Sequence, residues 1–217
     1  MDSSNNRNFS ECQRCGTCCK KGGPALHFED QEILDAGSIP LASLYTIRKG
    51  ELARNNVSGG LICLPVEIIK IKSRPDDSAC MYYNDVDASC EIYENRPFEC
   101  RNMECWNSDK IAALYDQNRL IRAQVLEKAD WLKDLVNTHE AECDLDRIQA
   151  LVNDRETGDA NAASVLTEMV NYDFHLRNIL TEKGNISSDM LDFVFGRPLN
   201  QIISRQFKIK IQKSKTV

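Results

Sequence analysis

Apolar and polar positions along the 217-residue chain follow two rhythms in succession. Over residues 61–72, L-I-C-L-P-V-E-I-I-K-I-K, apolar side chains cluster and then alternate with charge. This predicts a strand edged or interrupted at Pro65, because proline cannot donate to a ladder. Short strands are predicted at 79–83 and 90–93 around the turn N-D-V-D-A-S, a hairpin that brings Cys80 and Cys90 onto facing arms. Residues 28–37, F-E-D-Q-E-I-L-D-A-G, read as a short helix with acids in its first turn and Gly37 at its end.

Beyond residue 106 the period lengthens. Ile111, Leu114, Tyr115, Ile121, Val125, Leu132 and Val136 recur at three-and-four spacing, which predicts an amphipathic helix. A shorter helix carries Leu145, Ile148, Leu151 and Val152. After the breaker T-G-D a third carries Val165, Leu166, Met169, Tyr172, Leu176 and Leu180, ending at Lys183 and Gly184. Three such helices can pack as a bundle. The last stretch, F-K-I-K-I-Q-K-S-K, returns to period two and reads as an added edge strand or a solvated arm. The fold class predicted is therefore α+β: a small loop-rich half with a short β-hairpin (1–106), a mainly helical region (107–196) and a basic C-terminal tail (197–217).

Charge narrows the choice of partners. The chain carries −6 overall. Residues 1–106 hold 12 basic and 16 acidic side chains, 107–200 hold 10 and 17, and 201–217 hold five basic and none acidic, so only the tail is basic. An acidic body does not suit broad contact with a phosphate backbone, and nucleic acid is not an expected partner. No apolar run approaches the roughly 18 residues of a membrane span, and the first ten residues lack an apolar leader, so a soluble cytoplasmic protein is expected. G-x-S-x-G, P-loop and G-x-G-x-x-G patterns are absent, which leaves the common hydrolase and nucleotide-binding readings without support.

The ten cysteines change the picture most. Four fall within eight residues, C-Q-R-C-G-T-C-C, as Cys12, Cys15, Cys18 and Cys19. Two intervening residues let both sulfurs of a C-x2-C pair turn toward one soft ion, and in a reducing compartment such clusters hold metal rather than disulfides. Adjacent side chains tend to diverge, so Cys18 and Cys19 are expected to serve two neighbouring ions or two corners of a cluster. Cys63 lies in an apolar strand and is read as buried packing; Cys143, between Glu142 and Asp144, is read as an ordinary thiol. Pro97 fits the first turn of a helix, which places Cys100 one turn in, where a helix N-terminus favours the thiolate. Arg96 and Arg101 are candidates to hydrogen-bond sulfur or to pair with Glu94, Glu99 or Glu104. His27 is the one histidine near enough in sequence to be a fallback ligand.

Three elements together, C-x2-C-x2-C-C at Cys12, Cys15, Cys18 and Cys19, a middle cysteine at Cys80, and C-x-I-Y-x-x-R-P-x-x-C-R from Cys90 to Arg101, resemble the YkgJ-type CxxCxxCC cysteine-cluster family, described as zinc- or iron-chelating. Cys105 matches a further family cysteine more loosely. The resemblance spans 12–105 and implies metal chelation by about eight cysteines: Cys12, Cys15, Cys18, Cys19, Cys80, Cys90, Cys100 and Cys105. Eight thiolates suit two four-thiolate zinc sites, a thiolate-bridged pair, or an iron-sulfur cluster with the remaining cysteines elsewhere. The run matches the ferredoxin pattern only in part, since the fourth cysteine follows the third directly and no proline comes after it.

Three functions are open to such a chain. The first is a closed metal centre that holds the loop-rich half together while the helical half offers a surface to a protein partner. The second is an iron-sulfur protein in electron transfer or serving a modifying enzyme. The third is an open zinc site with Glu11, Glu99 or Glu104 as acid or base.

Overall fold

A computed structural model describes residues 12–55, 57–104 and 106–211. The fold is α+β, with short antiparallel hairpins in the N-terminal half and helices in the C-terminal half. Ahead of the first strands, a 3-10 turn at Phe28–Asp30 runs into α1 (Gln31–Asp35), and Gly37, with φ of 70°, closes it where the sequence placed the cap. The central ribbon pairs β1 (Leu44–Ile47) with β4 (Ile68–Ile71), in the register Leu44↔Ile71 through Ile47↔Ile68. Between them, β2 (Leu52–Arg54) pairs with β3 (Leu61–Cys63) as a separate hairpin. The single strand read over 61–72 is thus two strands with different partners, divided at Pro65. The hairpin read over 79–93 is present in shortened form as β5 (Tyr83–Asn84) and β6 (Ser89–Cys90), but its arms do not face Cys80 with Cys90: Cys90 pairs with Tyr83, and Cys80 lies ahead of β5, bridged to Ser73.

The β1–β4 ribbon is two-faced, as period-two strands require. Leu44, Thr46, Ile69 and Ile71 point into the main core, while Tyr45, Ile47, Ile68 and Lys70 line a cavity on the other side. Gly23 packs directly over this ribbon. A Cβ there would lie 2.2 Å from the backbone oxygen of Ile71, and backbone cannot swing aside. Gly23→Ala is expected to cost about 1–3 kcal/mol of overpacking, read as a lower urea midpoint with an unchanged slope.

In the second half the helix expected over 111–136 is three: α3 (Ser108–Leu114), α4 (Arg122–Val125) and α5 (Asp130–Glu142), α2 (Phe98–Asn102) having come just before. The interruption has a backbone cause. Asn118 turns with φ of 49°, its carbonyl accepts from Phe28 N–H at 2.8 Å, and Leu120 N–H donates to the carbonyl of Leu26 at 3.1 Å. The chain runs extended there beside the N-terminal segment, and Leu120 is fully buried. Apolar spacing alone could not separate this from a continuous helix.

α6 (Leu145–Glu156) and α7 (Ala160–Glu182) begin at Asp144 and Asp159, whose side chains accept from Arg147 and Asn161 N–H. α8 (Leu191–Phe195) lies on β1, with Thr46 Oγ1 donating to the Phe193 carbonyl at 2.7 Å. α9 (Leu199–Phe207) lies inside the stretch read as tail and buries Leu199, Ile202 and Ile203 against α6 and α7. Residues 208–211 form no strand, and 212–217 lie outside the described residues. Two apolar clusters result. One joins the central ribbon to α5, α8 and the end of α7; the other lies among α6, α7 and α9. Among the described residues no helix is long and apolar enough to cross a membrane.

Candidate metal centre

The loop 12–19 is held over the hairpins by main chain and by a tyrosine. Cys80 N–H donates to the Cys19 carbonyl at 2.8 Å, and Ser73 and Cys80 form an isolated bridge. Gly16, with φ of 73°, passes so near Tyr83 that a Cβ would lie 2.0 Å from the phenol oxygen. This close approach sets the loop on the β5–β6 hairpin. Cys100 comes from α2, whose first free N–H, that of Phe98, is taken by buried Asp30 at 2.7 Å. Asp30 also accepts from His27 N–H at 2.9 Å and lies 3.6 Å from Arg101, so one carboxylate sets the helix that carries Cys100 against the N-terminal segment.

These elements bring Cys12, Cys15, Cys18, Cys19, Cys80, Cys90 and Cys100 to the wall of one cavity of about 970 Å³. Cys105 and Glu11 lie outside the described residues. Cys63 and Cys143 are elsewhere. Cys63 is exposed on β3, against the expectation of burial, because among the described residues nothing covers this face of the β2–β3 hairpin, which leaves even Leu61 68% exposed.

The Sγ atoms of Cys18 and Cys19 are 3.9 Å apart. The expected divergence of neighbouring side chains is not seen, since the 3-10 turn at Cys19–Lys21 rotates both sulfurs to one side. Two sulfurs bound to one tetrahedral ion at about 2.3 Å lie roughly 3.8 Å apart, so this pair has the spacing of a shared ion.

Among the described residues no three of these sulfurs lie within 4.8 Å of one another, so the nest is open, but the proton affinities show that its sulfurs feel each other. The Cys18–Cys19 hydrogen bond lowers Cys18 to about 6 and raises Cys19. Cys15 is lowered by the Thr17 hydroxyl. Burial pushes Cys80, Cys90 and Cys100 up, and for Cys100 the nearby sulfurs of Cys80, Cys18 and Cys90 add to it. The helix start at Cys100 therefore does not give the low value expected of it, because desolvation and like charge outweigh a short helix dipole. A cation among the sulfurs reverses this balance.

Arg96 bears directly on whether a metal suits the nest. Its guanidinium lies over the Tyr93 ring at 3.8 Å, with Arg14 over the same ring at 4.1 Å, and its charge acts on Cys90. Its Nε and Nη1 are buried and have no acceptor among the described residues. Two such N–H groups next to thiolate ligands are donors of the kind that stabilise metal-bound sulfur. Soft donors with unspent N–H groups beside them fit zinc, iron or an iron-sulfur cluster alike.

His27 is not available as a ligand. Its Nδ1 lies 2.7 Å from the Gln117 carbonyl and its Nε2 3.3 Å from Glu99. Glu99 is itself held, accepting from Ala25 N–H at 2.8 Å and Arg119 at 3.0 Å.

A second gathering escaped the sequence. His139, Cys143 and Asp173 offer ligand-type atoms within 4.8 Å of one another, all buried. The carboxylate already accepts from His139 Nε2 at 2.8 Å, Arg177 Nε at 2.8 Å and Leu199 N–H at 3.0 Å. Burial, then Asp173, pushes the Cys143 thiol up to about 12. With Arg177 bonded to the trio and Arg48 beside it, this is a knot joining α5, α7 and α9 rather than a cation site. Its one trace in the sequence is the four-residue step from His139 to Cys143.

A family model described as "CxxCxxCC: Putative zinc- or iron-chelating domain" matches residues 11–119, half of the chain. The chain belongs to the CxxCxxCC family. The matched CxxCxxCC region contains all seven cavity-lining cysteines together with Asp30, Glu99 and the ribbon residues that seat them. Comparison with curated proteins and with solved structures finds no match.

Proposed function

We propose that the cysteine nest is a multi-metal thiolate centre for zinc or iron. Its ligands are drawn from Cys12, Cys15, Cys18, Cys19, Cys80, Cys90 and Cys100, with Cys105 as the eighth. The observation that carries this reading is the convergence of seven cysteines from three separate stretches on one cavity. Seven thiolates exceed what one tetrahedral ion takes, so at least two metal atoms are expected. Bound metal supplies cross-links to a half whose strands are only two to four residues long. The residues themselves position sulfur: Asp30 through α2, Tyr83 through the loop, and Arg96 through its unspent N–H groups.

The decisive measurement is elemental analysis with an optical spectrum on full-length protein isolated without oxygen. Two or more zinc or iron atoms per chain, and loss of free thiol titre on loading, are expected. Visible charge-transfer bands identify the iron-sulfur form and a colourless metalloprotein the zinc form. A folded chain that takes up neither metal overturns the reading.

A further inference from the structure

The cavity is larger than its sulfur lining requires. Ions held at about 2.3 Å from their ligands fit in the gaps between thiolates and use little of the space. The whole, about 970 Å³, is at the upper end of small-molecule pockets, roughly 300–1,000 Å³. The surplus lies along the outer face of the central ribbon. Its floor is made by the cross-strand pairs Tyr45↔Lys70 and Ile47↔Ile68, and Leu52 and Val57 of the β2–β3 hairpin and its loop form a side.

Its charge runs against that of the chain. The sequence has 33 acidic and 27 basic residues, yet the described cavity wall carries seven basic side chains and a single carboxylate, Glu99. Glu99 is already paired with Arg119, and Arg197 at the far end reaches Glu51 at 3.0 Å. Lys70 differs from both. It stands where the apolar floor meets Cys80 and Cys100, and its ammonium has no hydrogen bond or ion pair among the described residues. Desolvation holds its proton affinity below the ordinary lysine value, and the charge of Glu99, already bonded to Arg119, offsets this only in part. An unpaired ammonium set in a cavity is costly unless something anionic meets it.

We propose that this surplus space binds a small organic oxyanion, a carboxylate or phosphate on an apolar body, with Lys70 holding the anionic end beside the sulfur nest and Tyr45, Ile47 and Ile68 receiving the body. The proposal rests on the metal-centre reading for what lies next to the ligand, not for the binding itself. A metal centre with such a compartment is reached by a molecule from solution, which a closed structural site is not.

The test is calorimetric titration of the full-length, metal-loaded protein with benzoate, phenyl phosphate and neutral benzamide, repeated on metal-free protein. Lys70→Met and Lys70→Arg are titrated in parallel, with metal content measured in each. One saturable site for benzoate or phenyl phosphate is expected, and the stronger of the two identifies the anionic group. Benzamide and the Lys70→Met variant are each expected to bind at least about tenfold more weakly, a difference of about 1.4 kcal/mol. Lys70→Arg is expected to restore most of the affinity, and metal content to stay constant across the variants. Absence of a saturable site for either oxyanion, undiminished binding in Lys70→Met, or loss of metal in Lys70→Met overturns the proposal; the last makes Lys70 a counter-charge for the thiolates. Oxyanion binding by a chain that takes up no metal counts against the metal-centre reading alone, and metal uptake without oxyanion binding against this proposal alone.

Discussion

Cys100→Ser is expected to strip at least one metal atom from the chain and to weaken retention of the rest. Cys100 comes to the nest on a helix, is close to Cys18, Cys80 and Cys90, and has its thiol raised by burial and by those sulfurs. Serine keeps the volume but offers a hard hydroxyl that neither zinc nor iron-sulfur chemistry accepts in place of thiolate. Affinity should therefore fall by more than the about 10–100-fold that loss of an outer-shell partner costs. Metal-to-protein ratio after dialysis, followed by competition with a chromogenic chelator, measures it. Two controls separate ligation from folding. Cys63→Ser, on the exposed hairpin, should leave metal content and stability unchanged. Cys143→Ser should leave metal content unchanged while lowering stability, because it buries a hydroxyl in the second apolar cluster. Equal metal loss in all three variants would sink the assignment of the nest.

The second large effect is expected in a region without cysteine ligands. Glu140→Leu should destabilise the fold by about 3–5 kcal/mol, the usual cost of removing one partner from a buried ionic network. Glu140 accepts from Arg48 Nε at 2.8 Å, from Arg48 Nη2 at 2.6 Å and from Arg122 Nη2 at 2.6 Å. Arg48 is 1% exposed, and Arg122, also bonded to Glu67 and the Val194 carbonyl, is buried. Without the carboxylate the two guanidiniums have one bonded carboxylate between them, Glu67 on Arg122, and Arg48 has none among the described residues. Urea unfolding gives the change in midpoint. Near-neutral behaviour of Glu140→Leu would show that water reaches these arginines.

What the sequence disclosed was local in origin. The helix start signalled by Pro97 and the turn N-D-V-D-A-S both act over a few residues; α2 begins one residue after Pro97, and the turn joins β5 to β6 where its spacing placed it. Missed features depend on residues far apart in the chain. Arg48 meets Glu140 across 92 positions, and Arg122 meets Glu67 across 55. The break in the helix read over 111–136 arises because Leu120 fills a place beside Leu26, which no periodicity records. Lys70 reads as the polar phase of an alternating strand; that its face looks onto Cys80 and Cys100 follows from the path of two other segments. Cys63 was misjudged for a related reason, since an apolar run says nothing about whether a second layer covers it.

The pairing of β1 with α8 bears on how this protein can be cut. The family match ends at residue 119, yet the inner face of the ribbon that seats the nest is covered by Phe193 and its neighbours, more than seventy positions downstream. A fragment trimmed to the matched segment keeps every donor atom and forfeits the scaffold beneath them. The matched segment is therefore expected to travel as a motif but not to fold as an independent piece of protein.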